Sequence, residues 1–218
     1  MDKQWLPIKA KYDLLNDYYP AQLFYINNEK FNLSNKTSTY YGFCIDRHLD
    51  IKSQKLSITL QQQMFFAATG IAEINSHGRC IIIERLGFRG LQTFGGPVEN
   101  TGRLDYIDGC RSSLLVYPPR LGDGCLNLLT FPANVTQSEH THPTYRVGVI
   151  NDGDGWCISG KIKTRLKIGT SFYLKPGQKH YFMSGKNGLS AIAYHPESDW
   201  GPTDQDHPMI NRTYKTKK

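Results

Sequence analysis

Two histidines one residue apart, His140 and His142, are the residues of this chain best suited to bind a metal ion. Side chains alternate along an extended strand, so both imidazoles point to the same face. Imidazole is the commonest side-chain metal ligand, and two on one face can reach a single ion. His180, which ends a segment punctuated by Gly and Pro, is a third candidate. The spacing predicts a three-histidine metal site.

The same alternation assigns the neighbouring residues to one side or the other. On an unbroken strand Arg146 shares the face of His140 and His142, whereas Tyr145 points to the opposite side of the sheet. Pro143 could introduce a bulge that shifts this assignment by one position. Glu139 has the wrong parity for the interior and is expected on the outer face.

Short strands must position these residues, because turn signals recur every eight to twelve residues in the second half of the chain. A strand is predicted over residues 140–150, and Asn151, Asp152, Gly153, Asp154 and Gly155 predict a hairpin turn after it. The fold class is therefore all-β, a sandwich or a barrel. The other predicted strands cover residues 22–26, 40–45, 56–66, 80–84, 112–117, 125–131, 156–159, 161–168, 171–174, 180–183 and 189–195.

At this point the chain resembles the cupins. The first motif is His140-Thr141-His142, three residues, Arg146, six residues and Gly153; the second runs from Gly169 through Pro176-Gly177 to His180. Each motif alone is weak, but the pair in this order is specific. The resemblance implies a cupin-type double-stranded β-helix, or jelly roll, in which the three histidines hold a metal ion.

The chain departs from the cupin pattern at the position of the acidic ligand, which is Arg146. A guanidinium stays protonated and has only donors, so it cannot ligate a cation. The ligand set then resembles that of three-histidine cupins such as the thiol dioxygenases, which implies Fe(II), with Zn, Mn or Ni as alternatives. A neutral ligand set leaves the ion its full charge and favours an anionic substrate.

Arg146 has two interpretations. It either binds the anionic group of a small substrate inside the barrel, or it turns away and pairs with a buried carboxylate. Aromatic residues around the second motif are candidates for the cavity wall. The resemblance suggests substrate-binding roles for Tyr173, Phe182 and Tyr194 and catalytic roles for Tyr181 and His195. His48, His77 and His207 are expected at the surface.

Three functions are compatible with these residues. The leading hypothesis is a non-haem Fe(II) dioxygenase that acts on a small anionic molecule. A cupin isomerase, epimerase or lyase using Zn, Mn or Ni as a Lewis acid is the first alternative. A small-ligand binding cupin without catalytic activity is the second.

The domain organisation is predicted as a cupin barrel at residues 105–198, preceded by an extension at 1–104 and followed by a lid or tail at 199–218. The extension is expected to add strands and a short helix near residues 5–15, which extend a sheet or form a homodimer interface. A degenerate second cupin in the same half is the alternative, although no histidine motif marks it and no repeat is apparent.

Composition indicates a soluble protein in a reducing compartment. Five cysteines lack any C-x-x-C pair, and the first residues contain no apolar segment of signal-peptide length. The predicted location is cytoplasmic, without a membrane partner. The net charge of +7 is partly due to a basic C-terminal tail, and no nucleic-acid recognition motif accompanies it.

Overall fold

Antiparallel strands form nearly all of the regular structure in the computed structural model, which describes residues 11–54, 56–118, 120–198, 202–207 and 209–216. Within these ranges no helix is long and apolar enough to cross a membrane. In the first half the strands are β1 Lys11–Leu14, β2 Ala21–Asn27, β3 Lys30–Leu33, β4 Thr39–Cys44, β5 His48–Lys52, β6 Ser57–Gln61, β7 Phe65–Thr69, β8 Ala72–Ser76, β9 Arg79–Arg85 and β10 Thr93–Gly95.

The second half contains fewer but longer strands. Two short 3-10 helices, Ile107–Gly109 and Ile210–Arg212, are the only helical turns in the described part of the chain. The strands are β11 Leu104–Asp105, β12 Arg111–Val116, β13 Cys125–Phe131, β14 Arg146–Ser159, β15 Ile162–Lys167, β16 Ser171–Leu174 and β17 Tyr181–His195.

Strands β2 to β9 form a jelly roll of their own, which we call the N-terminal barrel. One sheet has the order β2-β9-β4-β7, with β1 and β10 at its edges, and the other has the order β3-β8-β5-β6. A closed apolar core lies between them and includes Leu33, Tyr40, Leu49, Phe66 and Ile74. In topology this half is a second jelly roll, and not a set of strands added to the first.

The C-terminal barrel repeats this topology with two strands that each serve both sheets. The first half of β14 lies between β16 and β17, and its second half lies between β15 and β17. The predicted hairpin at Asn151–Gly155 is therefore wrong, because β14 continues through these residues without reversing. Register shifts between Ile150 and Gly155 and a φ of +68° at Gly153 bend the strand instead of reversing it.

The two barrels pack back to back through a shared apolar layer. It contains Leu23, Tyr41 and Ile83 from the N-terminal barrel and Val147, Val149 and Tyr194 from the C-terminal barrel, all at most 1% exposed. Strands such as β9 are consequently buried on both faces, which explains the unbroken apolar run Cys80–Ile83.

The terminal segments differ from the sequence-based expectations in one respect. Lys11–Leu14, the end of the predicted short helix, is a strand paired with β2, and the rest of that helix lies outside the described residues. Residues 199–201, 208 and 217–218 of the predicted lid also lie outside them. The role of the tail and the boundaries at residues 104 and 198 stay predictions. All five cysteines are buried and unpaired.

Candidate metal centre

His140, His142 and His180 come together in the C-terminal barrel. One ligand nitrogen from each lies within 4.8 Å of the others. The ring centroids are 4.5 to 5.1 Å apart, and the ring planes are inclined by 48° to 76°. Tilted rings at this spacing can direct their lone pairs to a single ion, which a parallel stack cannot do.

Backbone hydrogen bonds between two separate segments bring the three histidines together, and not one continuous strand. His140 and His180 exchange two N–H···O hydrogen bonds of 3.0 Å in an isolated bridge. Gly177 donates its N–H to the carbonyl of His142 at 2.8 Å. The turn that contains Gly177 has Pro176 before it and a φ of +69°, as a type II turn requires. Regular strand structure begins only at Arg146.

Backbone carbonyls determine which ring nitrogen is free in two of the three histidines. Nδ1–H of His140 donates to the carbonyl of Ser138, and Nδ1–H of His180 donates to the carbonyl of Gln178, both at 2.9 Å. A carbonyl only accepts, so Nε2 keeps its lone pair in both rings. Nε2 of His180 is buried without a hydrogen-bond partner among the described residues. The three imidazoles fit a metal ion.

The electrostatics of the site favour neutral ligands. Burial, with the nearby Arg146 charge second, lowers the pKa of His142 to about 3, and burial lowers the pKa of His180 to about 4. Both rings are therefore unprotonated at neutral pH, the form that binds metal. The candidate donor set consists of three imidazole nitrogens and no carboxylate.

A cavity of about 300 Å³ adjoins His140 and His142 inside the C-terminal barrel. Its wall mixes apolar side chains, among them Phe172, Leu174 and Phe182, with polar ones. No carboxylate lines it within the described part of the chain. The polar members are Tyr106, Ser112, Asn127, Gln137, His140, His142, Arg146 and His195.

Arg146 lies on the cavity wall, partly buried, and forms no ion pair with any described residue. Its Nη1 donates to the carbonyls of Thr144 and Tyr145 at 3.2 and 3.0 Å and to the Thr144 hydroxyl at 2.7 Å. That hydroxyl in turn donates to Glu197, so hydrogen bonds connect this carboxylate to Arg146 only by way of Thr144. Burial lowers the pKa of Arg146. Its remaining N–H groups have no acceptor in the described structure.

His195 forms a hydrogen-bonded cluster on the cavity wall. Nδ1–H of His195 donates to the carbonyl of Glu197 at 2.8 Å, so Nε2 accepts from the amide of Asn127 at 2.7 Å and from the Cys125 thiol at 2.8 Å. Burial lowers the pKa of His195 to about 4 and raises that of Cys125 to about 12. The cluster is neutral, and the Oδ1 of Asn127 is left without a partner among the described residues.

Of the four aromatic candidates, only Phe182 lines the cavity. Its neighbour Tyr181 points to the opposite face, because side chains alternate along β17. By the same alternation, Tyr173 and Tyr194 lie in the apolar layer between the barrels, where they pack against Tyr145. The roles suggested for Tyr173, Tyr181 and Tyr194 do not match their positions.

Sequence reasoning missed Asn127 and Gln137. Gln137 is 4% exposed, and its side chain bonds the backbone N–H of Phe182 at 3.3 Å. Asn127 interrupts the apolar run of β13 at a position whose neighbours Leu126 and Leu128 face the other barrel. Period-2 alternation alone would have placed its side chain in the interior.

Comparison with known proteins identifies the fold. No family model matches the sequence, and no curated protein is detectably similar to it. Among solved structures, a cupin 2 conserved barrel domain protein from Leptotrichia buccalis has a TM-score of 0.63 at 16% identity, over 86% of this chain and 88% of its own. AerE from Microcystis aeruginosa has a TM-score of 0.63 at 12% identity, over 89% of this chain and 100% of its own.

A salicylate 1,2-dioxygenase from Pseudaminobacter salicylatoxidans is also similar, with a TM-score of 0.61 at 9% identity, over 83% of this chain and 73% of its own. These likenesses extend over both barrels, since each covers more than four fifths of the chain. The chain has the cupin fold, with a candidate metal site of three histidines in its C-terminal barrel.

Proposed function

We propose that this chain is a non-haem Fe(II) oxygenase for a small anionic substrate. His140, His142 and His180 hold the metal, and Arg146 binds the anionic group of the substrate. The fold is shared with a protein named as a dioxygenase, although at 9% identity that likeness speaks for the fold alone. The proposal rests on the residues of the site.

The main support for the proposal is the positive charge of the cavity. A divalent ion on three neutral ligands would bring two positive charges next to the guanidinium of Arg146. The cavity wall contributes no carboxylate among the described residues, and Glu197, whose charge raises the pKa of Arg146 against the effect of burial, has no direct hydrogen bond to the guanidinium. Buried charges need partners, so an anionic ligand is the species that balances this site.

The shape of the cavity limits the substrate to a small molecule. About 300 Å³ is at the lower end of the volumes of ligand pockets. Phe172, Leu174 and Phe182 would contact the apolar part of the substrate and exclude water from it. Asn127 offers an acceptor oxygen, and the free N–H groups of Arg146 offer a bidentate donor pair.

Fe(II), when bound, would supply the redox chemistry that dioxygen requires. The contribution of the chain is to bind and orient. Two backbone carbonyls orient the imidazoles of His140 and His180, Arg146 fixes the anionic end of the substrate, and the neutral His195 cluster lies beside Arg146 on the cavity wall.

The test is oxygen consumption by the Fe(II)-loaded protein with a panel of small carboxylates and phosphonates. His142→Ala should lose iron and activity together. Arg146→Met should keep its iron but lower kcat/KM by roughly 10- to 100-fold, the value of a lost charge-assisted hydrogen bond. Arg212→Met, which removes an exposed guanidinium from the tail, is the matched control and should behave as wild type.

Two results would contradict the proposal. Metal-loaded protein that consumes no oxygen with any anion it binds would favour the isomerase, lyase or binding-protein alternatives. An Arg146→Met variant with unchanged kcat/KM for every anionic substrate would show that the guanidinium has another role.

A further inference from the structure

The N-terminal barrel carries a second cluster of metal-ligating side chains, His48, Asp50 and His77. One ligand atom from each lies within 4.8 Å of the others. All three are half-exposed on the outer face of the sheet β3-β8-β5-β6, whereas Leu49 and Ile51 point into the core. The cluster therefore belongs to a different barrel from the cavity described above and faces solvent.

Neighbouring antiparallel strands hold the three residues in place. His48 and Asp50 are two positions apart on β5 and so share a face. His77 directly follows β8, and its N–H donates to the carbonyl of His48 at 3.0 Å. The backbone thus holds the main chain of the three residues close together without help from a ligand.

Adjacent polar residues orient the carboxylate and one imidazole. Thr59 donates its hydroxyl to Oδ1 of Asp50 at 2.6 Å, and this bond lowers the pKa of Asp50. The other oxygen, Oδ2, lies 3.2 Å from Nε2 of His77. Two ligands at Zn–N and Zn–O distances of about 2.1 Å are about this far apart when they subtend roughly 100° at the ion.

Nε2 of His77 has two polar neighbours. The amide nitrogen of Asn75 lies 2.8 Å from it and Oδ2 of Asp50 lies 3.2 Å from it, so Nε2 either accepts from Asn75 or, in the other tautomer, donates to Asp50. A metal ion between Nε2 and Oδ2 would take the place of the proton and use the nitrogen lone pair. His48 has no hydrogen-bond partner for its ring among the residues described.

From this geometry we propose that His48, Asp50 and His77 form a second metal site, selective for a borderline divalent ion such as Zn²⁺. Two imidazoles and a carboxylate are typical zinc ligands, and solvent completes the coordination. The rings of His48 and His77 now stack at 4.1 Å with planes 19° apart. Binding requires His48 to rotate about its Cβ–Cγ bond, which its exposed position allows. The ion would join β5 to the β8–β9 turn and stabilise the N-terminal barrel.

The experiment uses the full chain with the central site removed by His142→Ala, so that its result is independent of the proposed function. Calorimetric titration of the metal-free variant with Zn²⁺ should give one ion per chain. Zinc should also raise its melting temperature, because it binds the folded state. Adding His77→Ala should abolish both effects. Adding His207→Ala, which removes a half-exposed histidine of the tail whose ring accepts hydrogen bonds from the tail backbone, should change neither.

Asp50→Asn serves as a second variant that preserves shape, and it should weaken zinc binding at least tenfold. A His142→Ala protein that binds no zinc would overturn the proposal. So would equal binding after His77→Ala or Asp50→Asn, since Asn75, His77 and Asp50 would then form only a hydrogen-bonded surface cluster.

Discussion

At the scale of single residues, the metal centre depends on carbonyl groups two positions before their histidines. Ser138 and Gln178 accept the Nδ1 protons of His140 and His180, and thereby aim both Nε2 atoms at one point. The rings are pre-arranged before any metal binds, which lowers the entropic cost of binding.

The buried histidines predict that the metal-free protein loses stability in mild acid. Burial lowers the pKa of His142 to about 3 and the pKa values of His180 and His195 to about 4, from about 6.5 in an unfolded chain. The unfolded state then binds more protons, so stability is full above pH about 6.5 and falls as the pH drops towards 4. Urea unfolding at pH 7.5, 6 and 5 should show this decline.

The matched variants are His195→Gln and His207→Gln. The first removes one of the three buried titrations and should make the decline shallower, whereas the second removes a half-exposed ring of the C-terminal tail and should leave it unchanged. Equal slopes in all three proteins would mean that other groups cause the acid sensitivity.

At the scale of elements, β14 decides how the site is built. Its first half carries Arg146 on the cavity wall and Val147 and Val149 in the layer between barrels. Its second half continues into the other sheet through the bend at Gly153. An added Cβ at Gly153 would overlap the carbonyl oxygen of Gly188. A hairpin turn at Gly153 would not bring its Cα this close to the carbonyl of Gly188.

The bend predicts different outcomes for two Gly→Asn substitutions. Asn tolerates a positive φ, so Gly153→Asn would be mild in a hairpin turn, but here the close approach to Gly188 should cost about 1–3 kcal/mol. Gly160, with a φ of +57° and open space around it, lies in the true β14–β15 turn. Gly160→Asn should change the free energy of unfolding by less than about 0.5 kcal/mol. Similar values for both variants in urea unfolding would contradict this description of β14.

At the scale of the whole molecule, the chain is two jelly rolls of the same topology, of which one contains the three-histidine site. The last cross-strand pair between β3 and β8 is Leu33 and Ala72, and the bridge at the equivalent place in the C-terminal barrel is His140 and His180. Leu33 is fully buried. The N-terminal barrel has an apolar core contact where its counterpart has two of the candidate metal ligands.

The layer between the barrels predicts opposite results for two Tyr→Phe substitutions. Tyr145 donates its hydroxyl to the carbonyl of Tyr19 at 3.0 Å, so Tyr145→Phe should destabilise by about 1 kcal/mol. The hydroxyl of Tyr194 is buried without a partner among the described residues, so Tyr194→Phe should be neutral or stabilising. Denaturant unfolding of both variants checks this, and a loss of stability in Tyr194→Phe would reveal a partner for its hydroxyl.

The sequence by itself determined the features that depend on local chemistry. Alternation along the predicted strand 140–150 placed Arg146 and Tyr145 on opposite sides, which holds although the strand begins only at Arg146; the motif spacing selected the three histidines, and Pro176-Gly177 indicated a turn. Each of these depends only on nearby backbone geometry. The all-β class followed from strand and turn signals for the same reason.

Tertiary structure alone decided what depends on contacts between distant segments. Tyr173 and Tyr194 look like cavity residues until the N-terminal barrel covers the outer face of their sheet. The segment at Gly153 contains every turn signal, yet pairing with β17 on both sides of it keeps the strand continuous. The second jelly roll was only the alternative in the sequence analysis, since a jelly roll needs only alternating apolar positions, and many sequences supply these without a visible repeat.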